Sequence, residues 1–269
     1  MSRIADSIRS IAKIILQSRP VSLEKESDGG RIIIMGNGPS LNQTIERHIG
    51  TLKKTPAMAV NFAALAQVFF DIRPRYYLMA DPHFFCGGDD GGNLDILRQK
   101  LAEVSWPMTL FVPARFRSAA KKYYPTAEIR TFNAIGIEGY TTLAHFAYRH
   151  NLGMPRPRNV LIPAIMVAMA IGYKEIVITG ADHSWMSTLS VTDDNEVVSV
   201  QPHFYKDSDR EEARVRHEYR GYRLHQIVES FAVAFKAYHH IAAYASSAGV
   251  RILNATPASM IDAFPRTTL

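Results

Sequence analysis

The sequence predicts an α/β protein with a single doubly wound, mostly parallel, Rossmann-like sheet. Short, wholly apolar runs such as RIIIMG (31–36) and EIVITG (175–180) are typical of strands buried on both faces of a sheet. These runs alternate with segments of helical periodicity, which is the pattern of consecutive βαβ units. With 47% hydrophobic and 21% charged residues among 269, the chain has the composition of a globular protein with a sizeable core.

The first element is an N-terminal helix, which ends before Pro20 and is followed by a polar linker up to residue 30. One apolar stripe on that helix is formed by Ile4, Ile8, Ile11 and Ile15. One interpretation is that residues 1–20 are a basic amphipathic anchor on an anionic inner leaflet. The other is a helix that packs on its own domain or on a second subunit of a homo-oligomer.

Strands and helices then alternate through residues 31–269, which we interpret as one domain. Apolar and β-branched runs predict strands at 31–36, 57–61, 76–80, 109–112, 128–132, 175–180 and 250–254. Apolar spacings of three and four residues predict helices at 41–50, 62–70, 94–104, 141–151, 163–172 and, longest, about 211–249. The polar stretch 183–222 interrupts the alternation, and we predict that it is a lid over the site.

Composition excludes several classes of protein. The single cysteine, Cys86, excludes a disulfide scaffold and a zinc site built mainly from thiolates. The longest apolar stretch, 160–173, is too short to span a membrane, and no signal peptide precedes it, so we expect a cytoplasmic protein. A net charge of +6 favours anionic partners. No nucleic-acid-binding motif accompanies that charge, and we predict neither a nucleic-acid partner nor a bound metal or cofactor.

Polar residues follow the ends of several predicted strands. They are Gly36–Ser40, Asn61, Asp81–His83, Gly180–His183 and Asn254–Thr256. Because ligands of open α/β sheets bind beyond the carboxyl ends of the strands, these residues predict one shared site.

The segment GNGPSL, after the first strand, carries the most information about that site. Gly36 and Gly38 allow close approach of the backbone to a ligand, Ser40 is a candidate N-cap, and a helix N-terminus binds anions. Asn37 can bind a ribose or a phosphate. The segment is neither a G-x-G-x-x-G fingerprint nor a Walker A loop, whose lysine is absent. It therefore predicts a nucleotide or phosphate site, with a plain tight turn as the alternative.

These residues resemble the bacterial sialyltransferases of glycosyltransferase family 42. The likeness is carried by GNGPSL, Asn61, the segment DPHFF that begins at Asp81, and AIMVAMAIGYKEIVITGADHSW. The closing segment ILNATPASMIDAFPR is more similar to a related Rossmann-like set, which contains the motility-associated factors and the archaeal 6-hydroxymethylpterin diphosphokinase. Together the matches run from about Arg31 to Arg266.

The resemblance implies the GT-A variant of the Rossmann-like fold. It also implies an inverting transferase with a CMP-sugar donor and a glycan or glycolipid acceptor of a bacterial surface-glycan pathway, such as lipopolysaccharide or capsule. Asn37 and Asn61 would hold the donor. Asp81 stands where the family has an asparagine. Arg158, or alternatively Arg156, would contact the donor, and the implied catalytic histidine is His203, with Tyr205 beside the leaving phosphate. A histidine suits the general base of such a reaction at neutral pH.

The main alternative is a Mg²⁺-dependent diphosphokinase or other phosphotransferase, in which Asp81 and Asp182 hold the metal between phosphates. Asp182 also has a purely structural interpretation, as a carboxylate that accepts backbone N–H bonds in its own turn. A third class is a non-catalytic nucleotide-binding protein of a surface-glycan pathway.

Overall fold

A computed structural model describes residues 2–21, 23–86, 92–199 and 221–269. The strands of its central sheet are β1 (Arg31–Met35), β2 (Ala57–Val60), β3 (Tyr76–Leu78), β4 (Thr109–Pro113), β5 (Glu128–Phe132), β6 (Glu175–Thr179) and β9 (Arg251–Asn254). A separate antiparallel hairpin is formed by β7 (Leu189–Val191) and β8 (Val197–Ser199).

The helices of the described residues alternate with these strands as predicted. They are α1 (Arg3–Gln17), α2 (Ser40–Lys54), α3 (Val68–Ile72), α4 (Asn93–Ala102), α5 (Arg117–Tyr123), α6 (Thr141–Arg149), α7 (Leu161–Ala170) and α8 (Leu224–Ser247). Within the described residues, no helix combines the length and apolarity that crossing a bilayer requires.

The central sheet confirms the predicted doubly wound fold. Its strand order is β5-β4-β3-β2-β1-β6-β9, and every neighbouring pair is parallel. The chain builds outward from β1 to β5 and then returns to the other side of β1. This reversal between β1 and β6 is the topological switch point, where ligands of such sheets bind.

The alternation of side chains along β1 explains why its sequence is wholly apolar. Ile32 and Ile34 pack into the core layer formed with α6, α7 and α8, whereas Ile33 and Met35 pack into the layer that contains α2 and α4. Because helices cover both faces, each side chain of the strand is buried whichever way it points.

Three features differ from the predicted elements. The helix predicted at 62–70 is broken into a 3₁₀ turn (Ala63–Leu65) and α3, because Ala66 is extended between them. Neither α5 nor the β7–β8 hairpin was predicted. Each is too short for its periodicity to stand out. The helix predicted from about 211 begins at Leu224 in the described residues, and 211–220 lie outside them.

Helix α1 packs on its own domain, but not through its apolar stripe. The hydroxyl of Ser10 donates to the carbonyl of Glu138 (2.9 Å) and accepts from the Glu138 N–H (2.8 Å). The Ser7 hydroxyl accepts from the N–H of Tyr140 (3.0 Å). The buried face of the helix is therefore a serine face, and the isoleucine stripe points away from it.

Candidate functional site

The loops after β1 and β6 meet at the switch point. The N–H of Gly36 donates to Thr179 O (2.7 Å), and that of Gly38 donates to Gly180 O (2.9 Å). A Cβ on Gly38 would lie 1.9 Å from a carboxylate oxygen of Asp182, and one on Gly36 would lie 2.4 Å from Gly180 O. Gly36 and Gly38 were predicted to allow close approach of a ligand. In the structure, their lack of a Cβ allows the loop after β6 to pack closely against them.

The carboxylate of Asp182 lies at the start of α2. Its Oδ1 accepts from the N–H of Ser40 (3.2 Å), and its Oδ2 accepts from the Ser40 hydroxyl (2.7 Å). The prediction that Ser40 is the N-cap is wrong, because Pro39 holds that position and Ser40 is the first residue of α2. Negative charge is favourable at a helix N-terminus. The sequence predicted that a phosphate would bind at this helix N-terminus. In the structure, the carboxylate of Asp182 provides the negative charge there.

Asn37 and Asn61 lie together at the ends of the adjacent strands β1 and β2. The side-chain amide of Asn37 donates to Val60 O (3.1 Å), directly before Asn61. The Asn61 backbone is left-handed (φ 50°), its N–H donates to Leu78 O (3.1 Å), and its carbonyl accepts from the Tyr77 hydroxyl. Both strand ends are therefore fixed by contacts with their neighbours in the sheet.

The side-chain oxygen of Asn61 stands out at this edge. Its Oδ1 is buried and meets no hydrogen-bond donor among the residues that the structure describes. A buried acceptor without a donor costs about 1–3 kcal/mol. A buried polar group that a native structure leaves unsatisfied often has a functional role.

Asp81 extends the polar edge to β3. Its Oδ1 accepts from the N–H of His83 (2.8 Å) and starts the 3₁₀ turn Pro82–Phe84, which fixes an exposed carboxylate beside the β2 end. The ring of His83 lies edge-on to those of Phe62 (6.5 Å between centroids) and Phe84 (6.0 Å). The structure thus brings Asn37, Asn61 and Asp81 to three consecutive strand ends.

Helix α7 adds its N-terminal end to this edge. Its C-terminal end lies at the opposite edge of the sheet, where Ile171 O accepts from Glu26 N–H (2.8 Å) just before β1. Arg158, which precedes the helix, is exposed and forms no ion pair with any residue described by the structure. Arg156, the alternative donor contact, is held in an ion pair with Glu138. Of the two arginines, Arg158 is the one available to a ligand.

A buried hydrogen-bond chain joins β6 to α7 and α8. Nε2 of His183 lies 2.6 Å from the Tyr238 hydroxyl, which donates to Oδ1 of Asn159 (2.9 Å). That oxygen also accepts from the N–H groups of Leu161 (3.0 Å) and Ile162 (3.3 Å), so the Tyr238 proton points to Asn159 and His183 carries a proton on Nε2. Burial lowers the pKa of His183 to about 3, so its ring is neutral near pH 7.

Asn159 and Tyr238 were missed by sequence reasoning. Asn159 had a signal, since an asparagine two residues before an apolar helix is typical of a helix start. Tyr238 had none, because a tyrosine on the apolar face of a long helix is not distinguishable from an ordinary core residue.

The polar residues at the end of β9 and after it form hydrogen bonds within the protein. Asn254, Thr256 and Ser259 are buried and bind one another or the backbone of Ala181.

The two carboxylates of the metal alternative follow strands that are not neighbours. Asp81 follows β3 and Asp182 follows β6, which are three strand positions apart in the sheet. Three spacings of a sheet span about 14 Å, whereas two oxygens on one Mg²⁺ lie within about 4 Å of each other. The Asp182 carboxylate is also already bound to Ser40 at the start of α2, so the structure does not bring the two residues together as a preformed metal site. Within the described ranges, no three or more histidine, cysteine, aspartate or glutamate side chains are grouped as metal ligands would be.

Two cavities among the described residues lie away from the polar ends of β1, β2 and β3. One, of about 70 Å³, is lined by residues that include Arg98, Trp106 and Tyr123, and the other, of about 20 Å³, by residues that include Asn133 and Tyr148. Both fall short of the roughly 300 Å³ of the smallest ordinary ligand pockets. His203 and Tyr205, the implied base and leaving-group residues, lie outside the described residues.

Comparison with known proteins gives structural likenesses but no family. No protein-family model matches this chain, and no curated protein matches it. Among solved structures, the chain aligns with the MAf glycosyltransferase from Magnetospirillum magneticum AMB-1 at 12% identity and a TM-score of 0.49. The alignment covers 99% of this chain but 38% of that one. The fold assignment therefore depends on the sheet itself, and every activity is a proposal.

Proposed function

We propose that this protein is a glycosyltransferase that uses a nucleotide-sugar donor, with a CMP-sugar of the sialic-acid type as the favoured substrate. The acceptor in this proposal is a glycan or glycolipid of a bacterial surface. Support comes from the doubly wound sheet, from the polar strand ends at its switch point, and from the likeness of GNGPSL and its companion segments to family 42.

The main observation in favour of a nucleotide ligand is the side chain of Asn61. Its buried Oδ1 has no donor among the described residues, and its backbone is held left-handed at the end of a central strand. A cytosine amino group or a ribose hydroxyl would supply the missing hydrogen bond once the groups that cover this oxygen move aside. A pre-formed acceptor of this kind favours a ligand with a matching donor, because the cost of burying the acceptor is met before binding.

The transfer step assigns a role to each implied catalytic residue. His203 would take the proton of the acceptor hydroxyl as that oxygen bonds to the anomeric carbon and the bond from that carbon to the CMP phosphate oxygen breaks. Arg158 and Tyr205 would stabilise the charge that gathers on the departing phosphate. The exposure of Arg158 beside the N-terminal end of α7 supports its part in this assignment.

Nucleotide binding tests the proposal most simply. We expect CMP without Mg²⁺ to raise the melting temperature of the protein, and UDP, GDP and ATP to raise it less. Asn61→Gly should weaken CMP binding by roughly tenfold, the effect of one lost hydrogen bond to a buried acceptor. Glycine keeps the left-handed backbone while removing the amide. The matched control is Asn195→Gly, since Asn195 is also left-handed (φ 61°) but lies exposed at the β7–β8 turn.

Two outcomes would favour a different function for this protein. Stabilisation by ATP only in the presence of Mg²⁺ would favour the phosphotransferase. CMP binding without any transfer, and with no change in cellular function in His203→Ala, would favour a non-catalytic nucleotide-binding protein. Equal CMP affinities of wild type and Asn61→Gly would remove Asn61 from the site.

A further inference from the structure

The way α1 is docked leaves its apolar stripe uncovered by the described residues. Ser7 and Ser10 are buried against Glu138 and Tyr140. The contact is close, since a Cβ on Gly139 would lie 2.2 Å from the Ser7 hydroxyl oxygen. Further hydrogen bonds fix the chain beyond the helix, because the Arg19 N–H donates to the Asn133 side chain (3.0 Å). The orientation of the helix on the protein is thus set by specific polar contacts.

Large aliphatic side chains occupy a neighbouring face, about 100° around the helix from the serines. Their exposed fractions are 58% for Ile4, 62% for Ile8, 44% for Ile11, 74% for Ile15 and 72% for Leu16. Exposed apolar side chains grouped along one face of a surface helix favour an interaction site there. Tyr140, which binds the serine face through its N–H, is itself 45% exposed beside the helix.

The charges on α1 indicate what covers the stripe. The helix carries Arg3, Arg9 and Lys13 against a single acidic residue, Asp6, and Arg19 follows directly. Arg3, Arg9 and Arg19 are exposed. Apolar residues on one face with basic residues outside it are the pattern of helices that lie in the interface of an anionic bilayer.

A second copy of the chain fits these features less well. The helix has 15 residues, so its stripe is about 22 Å long and 10 Å wide and covers about 220 Å². A stable protein interface needs about 800 Å² from each partner. Pairing two such helices would also bring together two surfaces with the same excess of positive charge, which is unfavourable.

We propose that α1 holds the protein on an anionic phospholipid surface, with Ile4, Ile8, Ile11 and Ile15 inserted in the interface and the serine face fixed to residues 133–140. The protein then lies on the membrane with its orientation set by the Ser7 and Ser10 contacts. This inference does not depend on the proposed catalytic activity.

Cosedimentation of the full chain with vesicles tests the proposal. We expect binding to vesicles of equal parts phosphatidylglycerol and phosphatidylcholine, weaker binding to phosphatidylcholine alone, and a decrease as salt is raised. The double variant Ile8→Ser/Ile15→Ser should bind the anionic vesicles roughly tenfold less or weaker still. The matched control is Ile96→Ser/Val228→Ser, which removes two exposed apolar residues on α4 and α8.

Far-UV circular dichroism and thermal unfolding verify that both variants fold, which we expect because all four side chains are exposed. Three results would overturn the proposal. One is a wild type that does not bind anionic vesicles, and another is binding that survives loss of the stripe. The third is a lipid-free dimer in sedimentation velocity that the stripe variant abolishes, which would assign the stripe to a second copy.

Discussion

At His183, burial sets the protonation state. The imidazole lies under Trp185 (4.1 Å between ring centroids) and against Tyr238, and burial lowers its pKa from 6.5 to about 3. The folded protein therefore keeps this histidine neutral where the unfolded chain protonates it. The stability that results is fully present above pH 6.5 and is lost as the pH falls from there toward 3.

This difference predicts how acid acts on the protein. Between about pH 7 and pH 5, wild type should lose about 2 kcal/mol more unfolding free energy than His183→Asn, because the unfolded state alone takes up the proton. Asparagine suits the left-handed backbone of this position (φ 54°). Urea unfolding at several pH values measures the loss.

The exposed His150 provides the control for this prediction, since His150→Asn should follow the wild-type curve. Burial also lowers the pKa values of His145 and His240, and both residues are unchanged in all three proteins. An acid loss in His183→Asn as large as that of wild type would contradict the account of His183.

The positions of single residues were predictable from the sequence where the end of a strand alone determines them. Asn37, Asn61 and Asp81 follow consecutive parallel strands, and any such sheet brings their backbones to one edge. The hydrogen bond between Ser40 and Asp182 was not predictable from local sequence. Asp182 is 142 residues away and meets Ser40 only because β6 pairs with β1. Contacts of this kind depend on topology rather than on local sequence.

At the scale of elements, the contact between the β1 and β6 loops joins α2 to the sheet. Gly38→Ala should lower the unfolding free energy by about 1–3 kcal/mol, because its Cβ would overlap the Asp182 carboxylate and crowd Gly180 O. It should also weaken CMP binding, since the loop carries Asn37. Urea unfolding and calorimetric titration with CMP measure the two effects.

Gly50→Ala is the matched control for that variant. Gly50 lies in α2, the helix that follows the Gly38 loop, and a Cβ there would meet nothing within 4 Å. Because alanine favours the helical backbone over glycine, this variant should gain up to about 1 kcal/mol. Equal stabilities of the two variants would contradict the close packing of the loops.

Element prediction succeeded for several strands and helices. The predicted and observed bounds agree within a few residues for β1, α4, β5 and β6. β1 and β6 have continuous apolar runs, whereas β5 has apolar side chains only at Ile129 and Phe132. Prediction failed at 62–70, where tertiary contacts interrupt the helix. The N–H of Ala64 donates to the Tyr77 hydroxyl (3.2 Å), and Ala66 is extended. The amphipathic pattern of α1 predicted a helix correctly but not which face the protein covers.

At the scale of the whole molecule, the sheet explains why the polar residues converge. The order β3-β2-β1-β6 puts the DPHFF turn, Asn61, GNGPSL and the GADH turn side by side along one edge. The apolar runs of the sequence predicted parallel strands, but only the pairing of β6 with β1 defines the switch point. The same order places the strand before Asp81 three positions from the strand before Asp182. The sequence had suggested these two residues as ligands of one metal ion.

Hydrogen–deuterium exchange with and without CMP tests most directly whether a nucleotide binds at this edge. The account predicts that CMP slows amide exchange in the peptides spanning 36–41, 60–65 and 79–84, while the peptides of α4 exchange at an unchanged rate. Slowed exchange confined to the cavity beside Arg98, Trp106 and Tyr123, or no change anywhere at saturating CMP, would contradict it.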